Sequence, residues 1–324
     1  MKKIAYSVCS ANHLAYAKTM ADSFTAHHPE YSVIIGLVDR IEGRFGVAAF
    51  QPYIIIEAEE MGITKFAQMS QQYTIIELNC AIKPFLAQYI FNTYQPEILL
   101  YLDTDIFIYQ PLLPVERLLE KNDIVLTPHF TTPVTDEKEP RERDILRSGL
   151  YNAGFIGMKK STTVDAFLQW WSSRLVDQCY YNFAEGMGVD QNWLNLVPLF
   201  FDNVAICHHK GINVAYWNLH ERVFSVKENL VMVNEKEPLI FLHISGYKFN
   251  FPDQLSLHQT RFVLSELPIL KKLLDDYRSA VNANGYERFI HLSCYFSKPK
   301  KKSTGLMATV NKLIKPLGIK ITNV

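Results

Sequence analysis

Asp103-Thr104-Asp105 carries two carboxylates at positions i and i+2, which share one face of an extended chain. Carboxylates so placed can converge on one hard cation, Mg²⁺ or Mn²⁺, and a divalent metal there would neutralise charge on a departing diphosphate. The segment His243-Ile244-Ser245-Gly246-Tyr247-Lys248 offers complementary groups. A neutral imidazole completes the coordination of a borderline metal, Gly246 permits close backbone approach, and Lys248 is a point charge suited to a phosphate. Asp190-Gln191, Asn152-Ala153-Gly154 and Lys83 are further polar groups. Taken singly they also fit a helix N-cap, a polar turn and a surface lysine.

Short apolar runs at Ile4–Val8, Tyr31–Val38, Tyr53–Glu57, Ile98–Leu102 and Ile124–Leu126 read as buried strands. Helical segments separate them at Leu14–Thr25 and at Ile82–Asn92, where Pro84 falls in the first turn. That alternation predicts an α/β domain with a mostly parallel sheet, in which ligands bind beyond the carboxyl ends of strands. Cys9-Ser10, Asp39 and Asp103-Thr104-Asp105 all stand at such ends. His129–Gly149 reads as a long polar loop, Tyr151–Met158 as a strand, Val164–Cys179 as an amphipathic helix, and the chain from about Pro268 as helical.

The chain has 324 residues, 48% of them hydrophobic, enough for a large buried core. Lys plus Arg equals Asp plus Glu at 33 each, so net charge offers nothing to a nucleic acid, and none is expected as a partner. Five widely spaced cysteines without a C-x-x-C read as free thiols of a reducing compartment. The opening residues are too short for a secretory apolar region, and no run of about 18 apolar residues appears, so a cytoplasmic location is expected. The tail from Ser297 to Val324 carries no acidic residue, and Leu306, Met307, Val310, Leu313 and Ile314 recur near helical spacing between lysines. A basic amphipathic segment of this kind suits an anionic membrane surface, as a peripheral contact at its inner face.

Together these segments resemble the GT-A type of glycosyltransferase, specifically the retaining glycosyltransferase family 8 and related bacterial surface-polysaccharide enzymes. The matching pieces are Asp103-Thr104-Asp105, Asn152-Ala153-Gly154, Asp190-Gln191 and His243-x-x-Gly246-x-Lys248, in the family's order, together with the opening segment Ser7–Tyr16. The resemblance implies a Rossmann-like nucleotide-binding sheet (about residues 1–128) fused to an acceptor-binding, catalytic half (about 129–290), with a basic helical tail at 291–324. It implies a hexosyltransferase-type reaction with retention, from a nucleotide-sugar (UDP-linked in most of the family) to a glycan or lipid-linked acceptor. Asp103, Asp105 and His243 would hold Mn²⁺ or Mg²⁺. Cys9, Ser10 and Asn12 would border the nucleoside. Lys83, Thr104, Gly246 and Lys248 would contact the donor, and Asn152, Asp190 and Gln191 would face the donor sugar. Phe249 stands where the family often has proline, and the nucleoside loop lacks the usual adjacent aspartates.

Three other readings stay open at this point. One is an inverting GT-A transferase with Asp190 or Asp144 as base. Another is a haloacid-dehalogenase-type phosphatase, although Phe107 replaces the Thr or Val that family has there. The third is a catalytically inactive sugar-binding protein.

Overall fold

The computed structural model describes residues 2–297. The basic amphipathic segment expected beyond Ser297 lies outside them.

Strand β1 (Lys3–Cys9) is buried on both faces, and its side chains alternate between two cores. Ala5 and Cys9 face one; Ile4, Tyr6 and Val8 face the other. Helix α1 (Leu14–His27) returns the chain to β2 (Tyr31–Leu37), which pairs in parallel with β1 and with β3 (Ile54–Glu57). After the short helix α2 (Phe66–Gln72) comes α3 (Ile75–Tyr94). Its start lies seven residues ahead of the expected one. A capping box fixes it there: Glu77 accepts from the Thr74 amide, and Thr74 Oγ1 accepts from the Glu77 amide. Pro84 therefore sits in the helix interior, not in the first turn. Pro84 is itself buried, and the helix gives up one backbone hydrogen bond at that position.

Strand β4 (Ile98–Leu102) lies parallel to β1, and β5 (Ile106–Ile108) follows after a turn. Helix α4 (Leu113–Lys121) leads to β6 (Ile124–Pro128). The expected loop at residues 129–149 is interrupted by helix α5 (Glu142–Ser148). Strand β7 (Tyr151–Lys159) then inserts antiparallel between β4 and β6, and α6 (Thr162–Leu175) covers the same face as α3. A small hairpin, β8 (Tyr181–Asn182) and β9 (Met187–Gly188), precedes α7 (Val197–Phe200) and β10 (Val204–Ile206). The result is one seven-stranded sheet in the order β10-β6-β7-β4-β1-β2-β3, mostly parallel as expected.

Strands β11 (Phe224–Lys227), β12 (Leu230–Val233) and β13 (Glu237–Pro238) form a three-stranded antiparallel sheet. Strand β14 (Phe241–His243) pairs antiparallel with β5, which brings His243 opposite Ile106. Helices α8 (Pro268–Ala283) and α9 (Tyr286–Phe289) pack near α1. Phe249 is buried and stacks on Tyr286 at 4.3 Å, so the residue that stands in place of proline anchors the chain just after Lys248. No helix among the described residues is long and apolar enough to cross a membrane.

Candidate active site

Asp103 and Asp105 are not in an extended segment. They lie in a turn between β4 and β5, closed by the Ile106 amide donating to Asp103 O at 3.1 Å. The β5–β14 pairing sets His243 over that turn, with Nε2 at 3.1 Å from Asp105 Oδ1 and 3.8 Å from Asp103 Oδ2. Ligand atoms of the three side chains lie within 4.8 Å of one another. His243 Nδ1 sits 3.1 Å from Asn213 Oδ1. Asn213 is itself buried, held by Thr127 through Nδ2 and by Asn218 through its carbonyl. Only an Nδ1–H can pair with that oxygen, so a neutral His243 presents its Nε2 lone pair to the carboxylates. Burial lowers its pKa but Asp105 outweighs that and raises it, so a proton and a cation compete for Nε2. Gly154 supplies the remaining room, since a Cβ there would lie 2.3 Å from His243 Cε1 and 2.8 Å from Asp103 Oδ2. Two carboxylates and an imidazole oriented by Asn213 form an N/O donor set that fits Mn²⁺ or Mg²⁺.

A second cluster of possible ligands, His28, Glu30 and Glu116, is internally satisfied. His28 Nε2 accepts from the Leu112 amide, and Glu116 takes Lys3 and the Tyr31 hydroxyl. It has no need of an ion.

Lys83 is no surface lysine. It is buried on α3, with Nζ at 2.9 Å from Asp190 Oδ2 and 3.2 Å from Asp103 Oδ1, and it donates to Ala153 O at 3.1 Å. Burial alone would push the ammonium down, but Asp103 and Asp190 hold its pKa well above the usual lysine value, so it stays charged. Burial raises the Asp190 carboxyl, and Lys83 opposes that rise. Asp190 Oδ2 is held in that ion pair, so the buried carboxylate is compensated by the Lys83 ammonium.

Gln191 cross-links the neighbouring wall. Its Oε1 accepts from Asn152 Nδ2 and the Ala153 amide, both at 3.1 Å, and its Nε2 donates to Ser148 O at 2.8 Å. Asn152 Oδ1 in turn accepts from the Gly154 amide. His129 packs 3.3 Å from Asn152 Nδ2, and burial holds its pKa down at about 4, so it is neutral. Trp217 lies edge-on between His129 and His243 at 5.2 and 5.1 Å.

These groups open on one cavity of about 590 Å³. Lys83, Asp103, Asp105, Asn152, Asp190, Gln191 and His243 all line it, so the fold brings seven sequence-predicted residues together. Cys9, Ser10, Asn12, Thr104, Gly246 and Lys248 do not line it. The Cys9 thiol points into the core, its pKa pushed up by burial, and its carbonyl accepts from the Val38 amide. Ser10 and Asn12 bond to each other beside the carboxyl end of β1. Lys248 stands near His13, whose pKa burial lowers, Asp105 raises and Lys248 lowers further. Gly246 adopts φ +73°, and a Cβ there would lie 2.4 Å from Ser256 Oγ. Its glycine is required by that turn and that packing.

Sequence reasoning did not assign roles to Gly154, Asn213 or Tyr101, whose hydroxyl bonds Asp103. Gly154 belongs to the Asn152-Ala153-Gly154 motif, but Asn213 lies 30 residues from His243 and only the fold joins them. It also missed a strap across the carboxyl ends of β1 and β2. Tyr295 N donates to Asp39 Oδ1 at 2.9 Å, Cys294 Sγ lies 3.3 Å from Asn12 Oδ1, and Arg40 stacks on Tyr295 at 3.9 Å.

No family model matches the sequence. The uncharacterized protein YfnF of Bacillus subtilis (strain 168) is 31% identical over 207 residues, covering 60% of this chain and 64% of that protein, so the match spans under two thirds of the relative. The galactosyltransferase LgtC, solved with donor and acceptor sugar analogues, aligns with 86% of this chain and 95% of its own at a TM-score of 0.52 and 18% identity. The bifunctional glycosyltransferase WbbM aligns with 90% of this chain and 51% of its own at a TM-score of 0.51 and 13% identity. At such identities the likeness is one of fold, and the fold of this chain is that of the GT-A glycosyltransferases.

Proposed function

We propose that the protein is a metal-dependent glycosyltransferase that moves a sugar from a nucleotide-sugar, UDP-linked by the family resemblance, onto a glycan or lipid-linked acceptor with retention. The observation that carries this reading is the convergence of Asp103, Asp105 and His243 on one point of the wall of a cavity that also holds Lys83, Asp190 and Gln191. A divalent metal held by the first three would stabilise the diphosphate as it leaves.

The chain's own residues divide the remaining work. Asn213 fixes the His243 tautomer, and Gly154 leaves the triad its space. Lys83 pairs with both Asp103 and Asp190 and so holds the two carboxylates together in the buried wall. Lys248, exposed on the segment that follows His243, is the cation that would meet the diphosphate by the family resemblance. Gln191 has both ends of its amide engaged by the protein, and an amide is a weak nucleophile, so it serves as a positioning residue in the wall. Attack on the same face as the departing diphosphate, with the diphosphate taking the acceptor's proton, needs no protein nucleophile. An inverting reaction remains a second reading because Asp144 also lines the cavity and could serve as base. No observation favours the phosphatase. A cytoplasmic location with peripheral membrane contact through the tail belongs to the same proposal and rests on the sequence.

The test is thermal unfolding against UDP, GDP, CDP-linked and dTDP-linked compounds, each with and without Mn²⁺. A ligand at about 100 times its Kd adds roughly 2.7 kcal/mol. A Mn²⁺-dependent shift with one nucleotide, lost in Asp105→Ala, is the expected result. Absence of any shift would remove the reaction and leave the fold. The anomeric coupling constant of the product, read by proton NMR, separates retention from inversion.

A further inference from the structure

The cavity has a second set of walls that the donor chemistry does not use. Helix α5 contributes Asp144 and Arg147, the β8–β9 hairpin contributes Tyr181 and Phe183, and Leu257 stands on a third segment. Tyr181, Phe183 and Leu257 are 55%, 38% and 50% exposed although they line the site. Large apolar side chains left in water around a polar cavity mark a surface that a ligand covers. The Tyr181 and Phe183 rings meet edge to face at 6.1 Å, and the Arg147 guanidinium lies 5.0 Å over Phe183, which orders the pair. Asp190 and Lys83 line the same cavity.

Charge narrows the ligand. The lining holds five carboxylates (Asp103, Asp105, Glu139, Asp144 and Asp190) against two permanent cations, Lys83 and Arg147. A divalent metal would leave the wall still negative, so an acceptor carrying its own carboxylate or phosphate is repelled. A pyranose combines an apolar C–H face with a rim of hydroxyls, which matches an aromatic pair bordered by carboxylates.

We infer that Tyr181 and Phe183 form the acceptor subsite, and that it takes a neutral saccharide with one sugar ring laid on these aromatic side chains. This rests on the glycosyltransferase reading above and deepens it.

The test uses the full chain with Mg²⁺ and UDP. Saturation-transfer NMR is recorded with the methyl glycosides of glucose, galactose, mannose, N-acetylglucosamine, N-acetylgalactosamine and glucuronic acid. At least one neutral glycoside is expected to bind through its C–H face, and glucuronide is expected to bind at least tenfold more weakly. Tyr181→Ala and Phe183→Ala should each weaken the neutral glycoside by about tenfold. Phe183→Leu, which keeps bulk and loses the aromatic face, should fall between. Tighter or equal binding of glucuronide, wild-type affinity in the alanine variants, or no binding of any neutral glycoside would overturn the inference. Failure of the underlying reading is recognised separately, because the nucleotide-dependent thermal shift of the wild-type protein needs no acceptor. A lost shift removes both, whereas a retained shift with no neutral glycoside bound removes only the subsite.

Discussion

At the scale of single residues, the proposed metal site at Asp103, Asp105 and His243 depends on two residues outside the triad, Gly154 and Asn213. A methyl group on residue 154 would press on His243 Cε1 and Asp103 Oδ2 together, and both are already packed. Gly154→Ala is therefore expected to lower Mn²⁺ affinity by at least about tenfold, measured by calorimetric titration on protein whose circular dichroism shows it folded. Asn213→Ala removes the acceptor from His243 Nδ1 and frees the ring to change tautomer. An effect of about 10- to 100-fold on Mn²⁺ affinity is expected. Mn²⁺ binding at wild-type strength in both variants would remove the triad as the metal site. Gln191 makes a different case. It ties Ser148 on α5 to Asn152 and Ala153 on β7, so Gln191→Ala loosens the wall without removing a reacting group. Lower turnover with an unchanged anomeric product is the expected result. An inverted product in the variant would give the amide a role in the chemistry itself.

At the scale of elements, residues 129–141 are held at both ends, although the sequence read them as part of a polar loop. Glu221 accepts from the Thr131 amide and from the Thr131 and Thr132 hydroxyls, and pairs with Lys210 and Arg222. Arg261 grips Asp136 and the carbonyls of Lys138 and Pro140. Burial would raise the Glu221 pKa, but the Arg222 charge and the hydrogen bonds from Lys210, Thr131 and Arg222 outweigh it and hold it at about 2. The folded value is below the unfolded one, so this clasp stabilises fully above about pH 4.5 and is lost as pH falls towards about 2. Urea unfolding across that window should show stability falling with pH, and Glu221→Gln should be less stable at neutral pH with a shallower acid decline. Arg261→Ala should speed amide exchange at residues 136–140; unchanged exchange would show that the loop is fixed by other contacts. What was legible followed the same logic. Strands such as Ile98–Leu102 were readable because burial on both faces leaves a continuous apolar run. Helix α5 was hidden because Ile145 is its one buried residue, so no apolar period marks it. The start of α3 was missed because its signal is the cap at Thr74 and Glu77, well ahead of the segment that was read. Asp103, Asp105 and His243 were singled out by residue type and joined as one set by the family resemblance, while Asn213, which holds His243, lies elsewhere in the chain and carries no local signal.

At the scale of the whole molecule, the chain closes on itself over α1 and the carboxyl ends of β1 and β2. Asn284 Nδ2 reaches Thr19 and Asp22 on α1, and the residues beyond α9 run back over the loop that follows β1. Asp39, fully buried, is where they meet. It takes the amides of Ala11, Arg40 and Tyr295 and the Arg44 guanidinium, so it joins the ends of β1 and β2 to the last described segment. Phe296 adds an edge-on contact with Phe66 at 5.1 Å. This arrangement turns Asp39, which the sequence placed at a strand end, into a structural hub. It also gives the shape of the Ser10–His13 loop a dependence on residues nearly three hundred positions away. Tyr295→Ala combined with Phe296→Ala removes the ring stacked on Arg40 and the ring against Phe66 while leaving the backbone bond to Asp39 available. A fall in melting temperature of about 2–4 °C is expected, equivalent to roughly 1 kcal/mol in a large domain. Amide exchange at Ala11 and His13 should quicken in the same variant, because the loop loses its cover. A lower melting temperature with unchanged exchange at those two amides would show that the strap stabilises the molecule without shaping the loop, and the coupling between the two would then be absent.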